Sequence, residues 1–262
     1  MDDEGKLESG LPRTAPVGET GLPRSIESVW GVREPVRRGP RPGLTLESII
    51  DAAITVAGRD GIAAVSMARV AAELGSSTMS LYRYVAAKDE LLALMIDAAS
   101  GPPPEQLSAA DGWRGGLAGW AKAYMAVLRR HPWALRIPIS GPPVTPNQLA
   151  WLEAGLAAMH GTGLEPGEKL SVMLLLSGYV RNDATIGADI QAASAKHAPP
   201  AGALMVSWRR VIERLADPGD FPELHAVARS GVLDQDDDPD EEFHFGLDRV
   251  LDGVDALVRA RE

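Results

Sequence analysis

The stretch that decides the fold is residues 66–92, SMARVAAELGSSTMSLYRYVAAKDELL. It begins with apolar residues at i, i+3, i+4 and i+7, a spacing that predicts a helix with a single buried face; they are Met67, Val70, Ala71 and Leu74. Gly75 follows where a helix must stop and turn, because glycine adopts positive φ at little cost. Ser77 is a suitable N-cap for a second short helix, predicted over 78–84. Two short helices joined by a glycine-containing turn are typical of a helix-turn-helix.

A helix-turn-helix places its second helix in the DNA major groove, with the first residues of that helix at the base edges. Thr78 and Met79 are therefore expected to touch bases, Met79 through a thymine methyl group. A second set is expected to hold phosphates, which fixes register without reading sequence: Ser66, Ser80, Tyr82, Tyr84 and Lys88. Arg69 and Arg83 suit either role. For Tyr82 and Tyr84, packing within the DNA-binding head is an equal alternative.

This arrangement resembles the TetR family of one-component regulators. The matching segments are residues 71–75 (AAELG), 81–85 (LYRYV) and 88–92 (KDELL). The resemblance implies an all-α homodimer whose N-terminal three-helix head binds a palindromic operator, with half-sites about 34–36 Å apart. It also implies a C-terminal helical domain for ligand binding and dimerisation. Ala68 departs from relatives that carry a base-contacting arginine there, so base recognition would depend on the 78–84 helix.

Composition and charge narrow the class further. The 262 residues are 45% hydrophobic and 24% charged, as in ordinary globular proteins. The sequence has no cysteine, which excludes disulfides and thiolate chemistry. It has no apolar run of about 18 residues and no signal peptide at its acidic start, so we expect a cytoplasmic protein without membrane contact.

The net charge of −10 argues at first against a nucleic-acid partner. Residues 75–88, however, hold two basic side chains, Arg83 and Lys88, and no acid. A locally basic face on an acidic body should bind non-specific DNA weakly, and its affinity should fall with salt.

Three segments follow from composition. Residues 1–43 are rich in proline, glycine and charge and are predicted to be a disordered extension, although a short docked helix over 25–32 stays open. The extension ends in arginines at Arg33, Arg37, Arg38 and Arg41, which form either a solvated tail or an arm that enters the minor groove. Residues 44–100 are predicted as the helix-turn-helix domain. Residues 101–262, after the break GPPP at 101–104, are predicted as the effector-binding and dimerisation domain.

The remaining helices follow from periodicity and capping signals. They are predicted over 46–59, 88–100, 111–130, 133–137, 145–160, 165–195, 203–215, 221–229 and 240–261. The 165–195 helix is apolar on nearly every side between Leu170 and Leu176, which predicts a buried central helix.

The resemblance places a ligand cavity among the helices over 111–195, beneath the 88–100 helix. An effector bound there would shift these helices, swing the 88–100 helix and spoil the spacing of the two heads. The candidate lining residues are Met95, Trp113, Trp120, Tyr124, Trp133, Leu135, Met159, Met173, Leu176, Tyr179 and Asn182. Each is alternatively an ordinary core residue, and Asn182 and Asp183 are alternatively polar contacts at a dimer seam. Tryptophan and methionine suit a large, apolar or aromatic effector.

The last predicted helix carries one long apolar stripe that needs a partner. Its candidate dimer-interface residues are Leu247, Val250, Leu251, Val254, Leu257 and Val258. Pairing this helix and the 165–195 helix with their symmetry mates would give a four-helix interface, as in the TetR family.

No enzyme motif is present: there is no nucleophile elbow, P-loop or GxGxxG on a strand. No two of the five histidines stand at i, i+4, and the acidic run at 234–242 suits a solvated loop better than a metal site, so we expect neither metal nor cofactor. The competing class is a helical small-molecule-binding protein that has lost DNA binding. The acidic balance of residues 44–100 and Ala68 favour it, whereas the intact 75–88 stretch opposes it. A constitutive architectural DNA binder would not need so large an acidic C-terminal domain.

Overall fold

The chain is all-α, as the sequence predicts. The computed structural model describes residues 20–31, 44–105, 107, 112–197, 201–234 and 239–261, and these ranges contain eleven α-helices and no β-strand. The helices are α1 Arg24–Val29, α2 Leu46–Asp60, α3 Met67–Glu73, α4 Thr78–Leu81, α5 Lys88–Ser100, α6 Gly112–Arg130, α7 Pro146–Ala158, α8 Pro166–His197, α9 Ala201–Leu215, α10 Pro222–Arg229 and α11 Pro239–Arg259.

The DNA-binding head is built on α2. Thr45 and Ser48 form a capping box, in which each side chain accepts a hydrogen bond from the other residue's backbone N–H at 3.0 Å. One face of α2 then buries apolar side chains against α3 and α5, with Ile49 and Val56 fully buried. Gly61 ends the helix at a φ of 82°, where other residues are strained.

The helix-turn-helix forms where the sequence predicts it. Ser66 caps α3 by accepting from Arg69 N at 3.1 Å, and Ser77 caps α4 by accepting from Ser80 N at 3.2 Å. Gly75 takes the predicted positive φ, 59°. The second helix is shorter than the predicted 78–84, because after Leu81 the chain tightens into a turn in which Tyr84 N donates to Leu81 O at 2.8 Å.

Residues 20–31 of the N-terminal extension are ordered, which corrects the prediction of disorder for those residues. α1 docks on the head, with Ile26 buried in the head's core and the Ser25 hydroxyl bonded to Glu90. The open alternative of a short helix near 25–32 was the right one. A six-residue helix is hard to predict in proline- and charge-rich sequence, because its apolar face consists only of Ile26 and Val29, at i and i+3.

A second core lies between α6, α7, α8 and α11. Within the single chain, α8 is buried on one side only: Val172, Met173 and Leu176 are buried, whereas Leu174 is 75% exposed. α8 packs on α6, α7 and α11 along one side, so the opposite apolar side lies on the surface of the chain.

The α11 stripe also differs from the prediction. Four of the six residues predicted at the dimer interface are buried in the second core of their own chain, namely Leu247, Leu251, Val254 and Val258. Only Val250 and Leu257 stay partly exposed, at the edge of an open groove between α8 and α11. The stripe closes the subunit core against α6 and α8, so these four positions cannot also face a partner.

Helices α9 and α10 form an excursion between α8 and α11. They pack on each other around a small core of Ile212, Ala228 and Leu233. Several large apolar side chains of this excursion are exposed, including Trp208, Val211 and Phe221.

Tyr179 of α8 packs closely on Gly246 of α11, and substitution of this glycine tests the packing of the two helices. A Cβ at Gly246 would lie 2.4 Å from the Tyr179 hydroxyl oxygen, and that hydroxyl donates to Phe243 O at 2.8 Å. We expect Gly246→Ala to lower the free energy of unfolding by about 1–3 kcal/mol, because the ring must move and give up this bond. Urea unfolding followed by circular dichroism measures the change.

The control is Gly253→Ala on the same helix, where the new methyl group would meet no atom within 4 Å. This change should stabilise by about 0.5–1 kcal/mol, since alanine is the better helix former. Equal effects of the two substitutions would contradict the close packing of Tyr179 on Gly246.

Candidate DNA-binding face and effector domain

The residues predicted to contact bases and phosphates lie on or next to α3, α4 and the start of α5. Met79 is 76% exposed at the start of α4, and Tyr82, Arg83 and Lys88 are exposed beyond it. Tyr84 is half-buried and packs against the head's core. The alternative role of packing within the head therefore fits Tyr84 better than the exposed Tyr82. The exposed groups are therefore the apolar side chain of Met79 on α4, the phenol of Tyr82 and the cations of Arg83 and Lys88.

The hydroxyl residues on this face also cap helices. Ser66 and Ser77 accept backbone N–H groups, and the Ser80 hydroxyl lies 2.9 Å from that of Ser77. A cap uses a lone pair, and a hydroxyl also has a proton to donate. Capping by Ser66 is thus compatible with a hydrogen bond to a phosphate, while Thr78, the other predicted base contact, is half-exposed on the first turn of α4.

Arg69 differs in its surroundings from Arg83. Its guanidinium binds Asp60 at 3.0 Å, and Arg59 binds both Asp60 and Glu73. Hydrogen bonds from Arg59, then from Arg69, hold the pKa of Asp60 below its usual range. Arg83 and Lys88 make no ion pair within the described part of the chain, so these two cations carry the positive charge of the face.

The predicted minor-groove arm, Arg37, Arg38 and Arg41, lies outside the described residues, as does Arg33. The described chain resumes at Leu44, directly before α2.

Three aromatic rings meet at the centre of the effector domain. The ring centroids of Trp120 and Tyr124 on α6 are 5.1 Å apart, and Trp151 on α7 lies 5.9 Å from the first and 5.8 Å from the second. We call Trp120, Tyr124 and Trp151 the aromatic cluster. Trp151 was not among the predicted ligand residues, although a tryptophan inside a proline-initiated helix is a signal that could have marked it.

Most of the predicted ligand residues surround this cluster. Met159, Met173 and Leu176 are buried in the same core, and Trp113, Leu135 and Tyr179 pack at its edge. Gly155 provides a notch for Met173, because a Cβ there would lie 2.4 Å from the Met173 sulfur. A flexible thioether next to aromatic rings gives a core that can be rearranged.

Three predicted ligand residues lie elsewhere. Met95 and Trp133 are buried in the head's core, because Met95 faces α2 from α5 and the 3-10 turn Pro132–Arg136 packs Trp133 beneath the head. Asn182 is exposed on the outer side of α8, whereas its neighbour Asp183 is half-buried. These three positions are removed from the candidate pocket.

Two polar side chains of α8, Tyr179 and Asp183, lie at the edge of the second core. Tyr179 stacks on Phe243 with centroids 5.7 Å apart, and burial raises the pKa of the Tyr179 hydroxyl. Burial also raises the pKa of Asp183, an effect that the positive charge of Arg129 opposes. Asp183 and Tyr179 are thus polar groups at the edge of a mostly apolar core.

The aromatic cluster is hydrogen-bonded to the helix that carries the head. Trp120 Nε1 donates to Trp151 O at 2.8 Å, and Trp151 Nε1 donates to Gly101 O at 2.9 Å, directly after α5. Four residues earlier, the buried Asp97 carboxylate accepts from Asn147 N at 2.9 Å and Gln148 N at 3.1 Å, at the start of α7. Both the start of α7 and Trp151 are therefore hydrogen-bonded to the C-terminal end of α5.

Two protein-family models match the chain, one in its N-terminal part and one in its C-terminal part. Residues 49–95 match the model of the bacterial regulatory proteins of the tetR family, and residues 104–258 match the tetracyclin repressor-like C-terminal domain. The chain is 34% identical over 269 residues to the HTH-type transcriptional repressor DrrR1 of Streptomyces coeruleorubidus, covering 97% of this chain and 98% of DrrR1.

Solved structures share the fold. ActR of Streptomyces coelicolor in its apo form superimposes with a TM-score of 0.67 at 24% identity, covering 85% of this chain and all of ActR. The complex of ActR with actinorhodin gives a TM-score of 0.66 at 25% identity, covering 82% of this chain and 99% of ActR.

A DNA-binding head joined to a ligand domain defines a one-component transcriptional regulator. The chain belongs to the TetR family of bacterial regulatory proteins. The predicted class is confirmed, and the comparisons give no support to the alternative of a binding protein without DNA affinity. Within the described ranges, no helix combines the length and apolarity that a membrane span requires.

The Asp97 cap generates a test of the joint between the head and the effector domain. Asp97→Ala should lower the free energy of unfolding by about 1–3 kcal/mol, because it leaves backbone N–H groups at the start of α7 without acceptors. Asp97→Asn keeps one carbonyl oxygen and should cost less. Denaturant unfolding measures both.

Asp51→Ala, at an exposed position on α2, serves as the control and should stay within about 0.5 kcal/mol of the parent. If Asp97→Ala proved as stable as this control, the cap would not hold α7.

Proposed function

We propose that this repressor binds a palindromic operator through α4 and the start of α5, and that a large planar aromatic molecule releases it. The observation that carries the proposal is the hydrogen-bonded route from the aromatic cluster through Trp151 to Gly101 at the end of α5. An effector that moves the cluster thereby moves the head.

The chemistry of the core supports the effector class. Three aromatic rings within 5.9 Å of one another provide stacking surfaces, and Met173 can vacate the notch at Gly155. The tyrosine hydroxyl of Tyr179 and the carboxyl of Asp183 offer polar contacts at the edge. ActR, a neighbour in fold, was crystallised with actinorhodin, which makes that compound the first probe to use.

Release follows from differential affinity for two arrangements of α7. A flat molecule inserted beside Trp120 and Trp151 separates α6 from α7. Trp151 then pulls on Gly101, and Asp97 follows the start of α7. Each α5 tilts, and the two heads leave the spacing of about 34–36 Å that adjacent half-sites require.

The sequence predicts a dimer face on both α11 and α8, and the burial of the α11 stripe in its own subunit narrows that face to the outer side of α8. The exposed apolar residues of α8 are Leu170, Leu174, Leu175, Ile186 and Ile190. Phe245 of α11 is also exposed. Such a stripe on a 32-residue helix needs cover in water. Two copies that meet along α8 would bury it and leave the heads on the same side.

We also propose that the chain acts in the cytoplasm, where a bacterial operator lies, and that it has no catalytic role, because the family is one of regulators.

The operator proposal is tested by fluorescence anisotropy with DNA from upstream of the protein's own gene and scrambled DNA as reference. Arg83→Ala should weaken operator binding and reduce the salt slope by about 1, because it removes one phosphate contact. Circular dichroism checks that the variant is folded.

The matched control is Arg210→Ala, which removes an exposed arginine from α9. If Arg83→Ala bound as well as this control, Arg83 would not belong to the site. Equal affinity for upstream and scrambled DNA would contradict an operator at that locus, and selection from genomic fragments would then search for it elsewhere.

The release route is tested with Trp151→Phe, which keeps an aromatic ring but removes the N–H that bonds Gly101. We expect unchanged operator affinity without effector and a higher actinorhodin concentration for half-release. Trp208→Phe on α9 is the control, since Trp208 lies outside the effector core. Superimposable release curves would contradict the route, and no release of the parent protein by actinorhodin would contradict the effector class.

A further inference from the structure

The short helix α1 binds the head at the beginning of α5. Ser25 Oγ donates to Glu90 Oε2 at 2.8 Å, and the same oxygen accepts from Ala86 N at 3.0 Å. Ser25, Ile26 and Glu90 are all buried. α1 is therefore an integral element of the head, attached where α5 leaves the helix-turn-helix.

The end of α1 reaches the other domain. Trp30 Nε1 donates to Val144 O at 2.9 Å, and Val144 directly precedes Thr145, the N-cap residue of α7. Val144 also packs against the head's core. One helix of six residues thus touches α5 at its start and the segment that leads into α7.

These contacts close a ring with the Asp97 cap. Asp97 holds Asn147 and Gln148 of α7 from the far end of α5, about 10 Å along the helix axis from Glu90. The attachments at Asp97 and Gly101 both lie near the C-terminal end of α5, so on their own they would let α5 and the head tilt about that end. The attachment through α1 lies two helical turns from Asp97 and opposes that tilt.

We propose that α1 is a clasp, a helix that fixes the angle between the head and the effector domain. The clasp opens when the hydrogen bond from Trp30 to Val144 breaks. The head side of α1 is buried, whereas Trp30 is 43% exposed and holds Val144 through one hydrogen bond. The effector-domain side is therefore the one that opens. This inference goes beyond the proposed function, because it concerns the resting spacing of the heads and needs neither operator nor effector.

The absence of cysteine from the sequence makes the test direct. Asp51→Cys, exposed on α2, takes one spin label per subunit, and double electron–electron resonance then measures the distance between the two heads of the dimer. In this background Trp30→Ala should broaden the distance distribution and lower its main peak. Trp30→Phe, which keeps the ring and loses the N–H, serves as a second variant if Trp30→Ala fails to fold.

The control is Trp208→Ala, because Trp208 is also 43% exposed but lies on α9, away from α1 and α7. Its distribution should match that of the parent. Distributions for Trp30→Ala and Trp30→Phe that superimpose on the control would overturn the clasp.

A covalent lock tests the opposite direction. For this test the label at position 51 is carried by a keto amino acid instead of cysteine, so that the only thiols are those to be cross-linked. Trp30→Cys combined with Val144→Cys, joined by a short bis-maleimide, should then restore the narrow distribution that Trp30→Cys alone loses. With upstream DNA, the cross-linked protein should keep its operator affinity and lose release by actinorhodin. A cross-linked protein as broad in distance distribution as the uncross-linked pair would also overturn the proposal, whether or not the operator has been found.

Discussion

The buried carboxylate of Asp97 is the constraint on which the arrangement of the two domains depends. A desolvated carboxylate requires donors, and it finds them in the backbone N–H groups of Asn147 and Gln148 and in the Asn147 amide. The start of a helix is also its positive end, so the charge is favourable there. Because Asp97 belongs to α5 and its donors to α7, this end of α5 and the start of α7 are held together.

The same joint explains why the aromatic cluster can act at a distance. Trp151 presents its carbonyl to Trp120 and its indole N–H to Gly101, so a single residue bonds the effector core on one side and the end of α5 on the other. In the proposed mechanism, the pathway from ligand to head consists of two hydrogen bonds and one cap. It requires rigid helices at each end, and the packed cores around Ile49 and Leu176 provide them.

Local features were predictable from the sequence, and the orientation of apolar stripes was not. Capping serines and Gly75 act within a few residues, so the helix-turn-helix and most helix starts could be found from spacing, although α4 ends at Leu81 and not at residue 84. An apolar stripe says that a helix needs a partner but not which one: Leu251 faces its own subunit, and Leu174 faces outward. Met95 was assigned to the wrong core for the same reason, since α5 packs on both domains. The minor-groove arm stays a prediction.

The notch at Gly155 has a consequence for how such a regulator changes over evolutionary time. Met173 fills the notch with a flexible thioether beside Trp120, and neither Gly155 nor Met173 takes part in the bonds that hold α5. Exchanging the methionine for a shorter or longer side chain would alter the volume open to a ligand without touching Asp97 or Trp151. The volume available to a ligand is thus set in part by residues outside the bonds to α5, and a lineage can acquire a new inducer without changing Asp97 or Trp151.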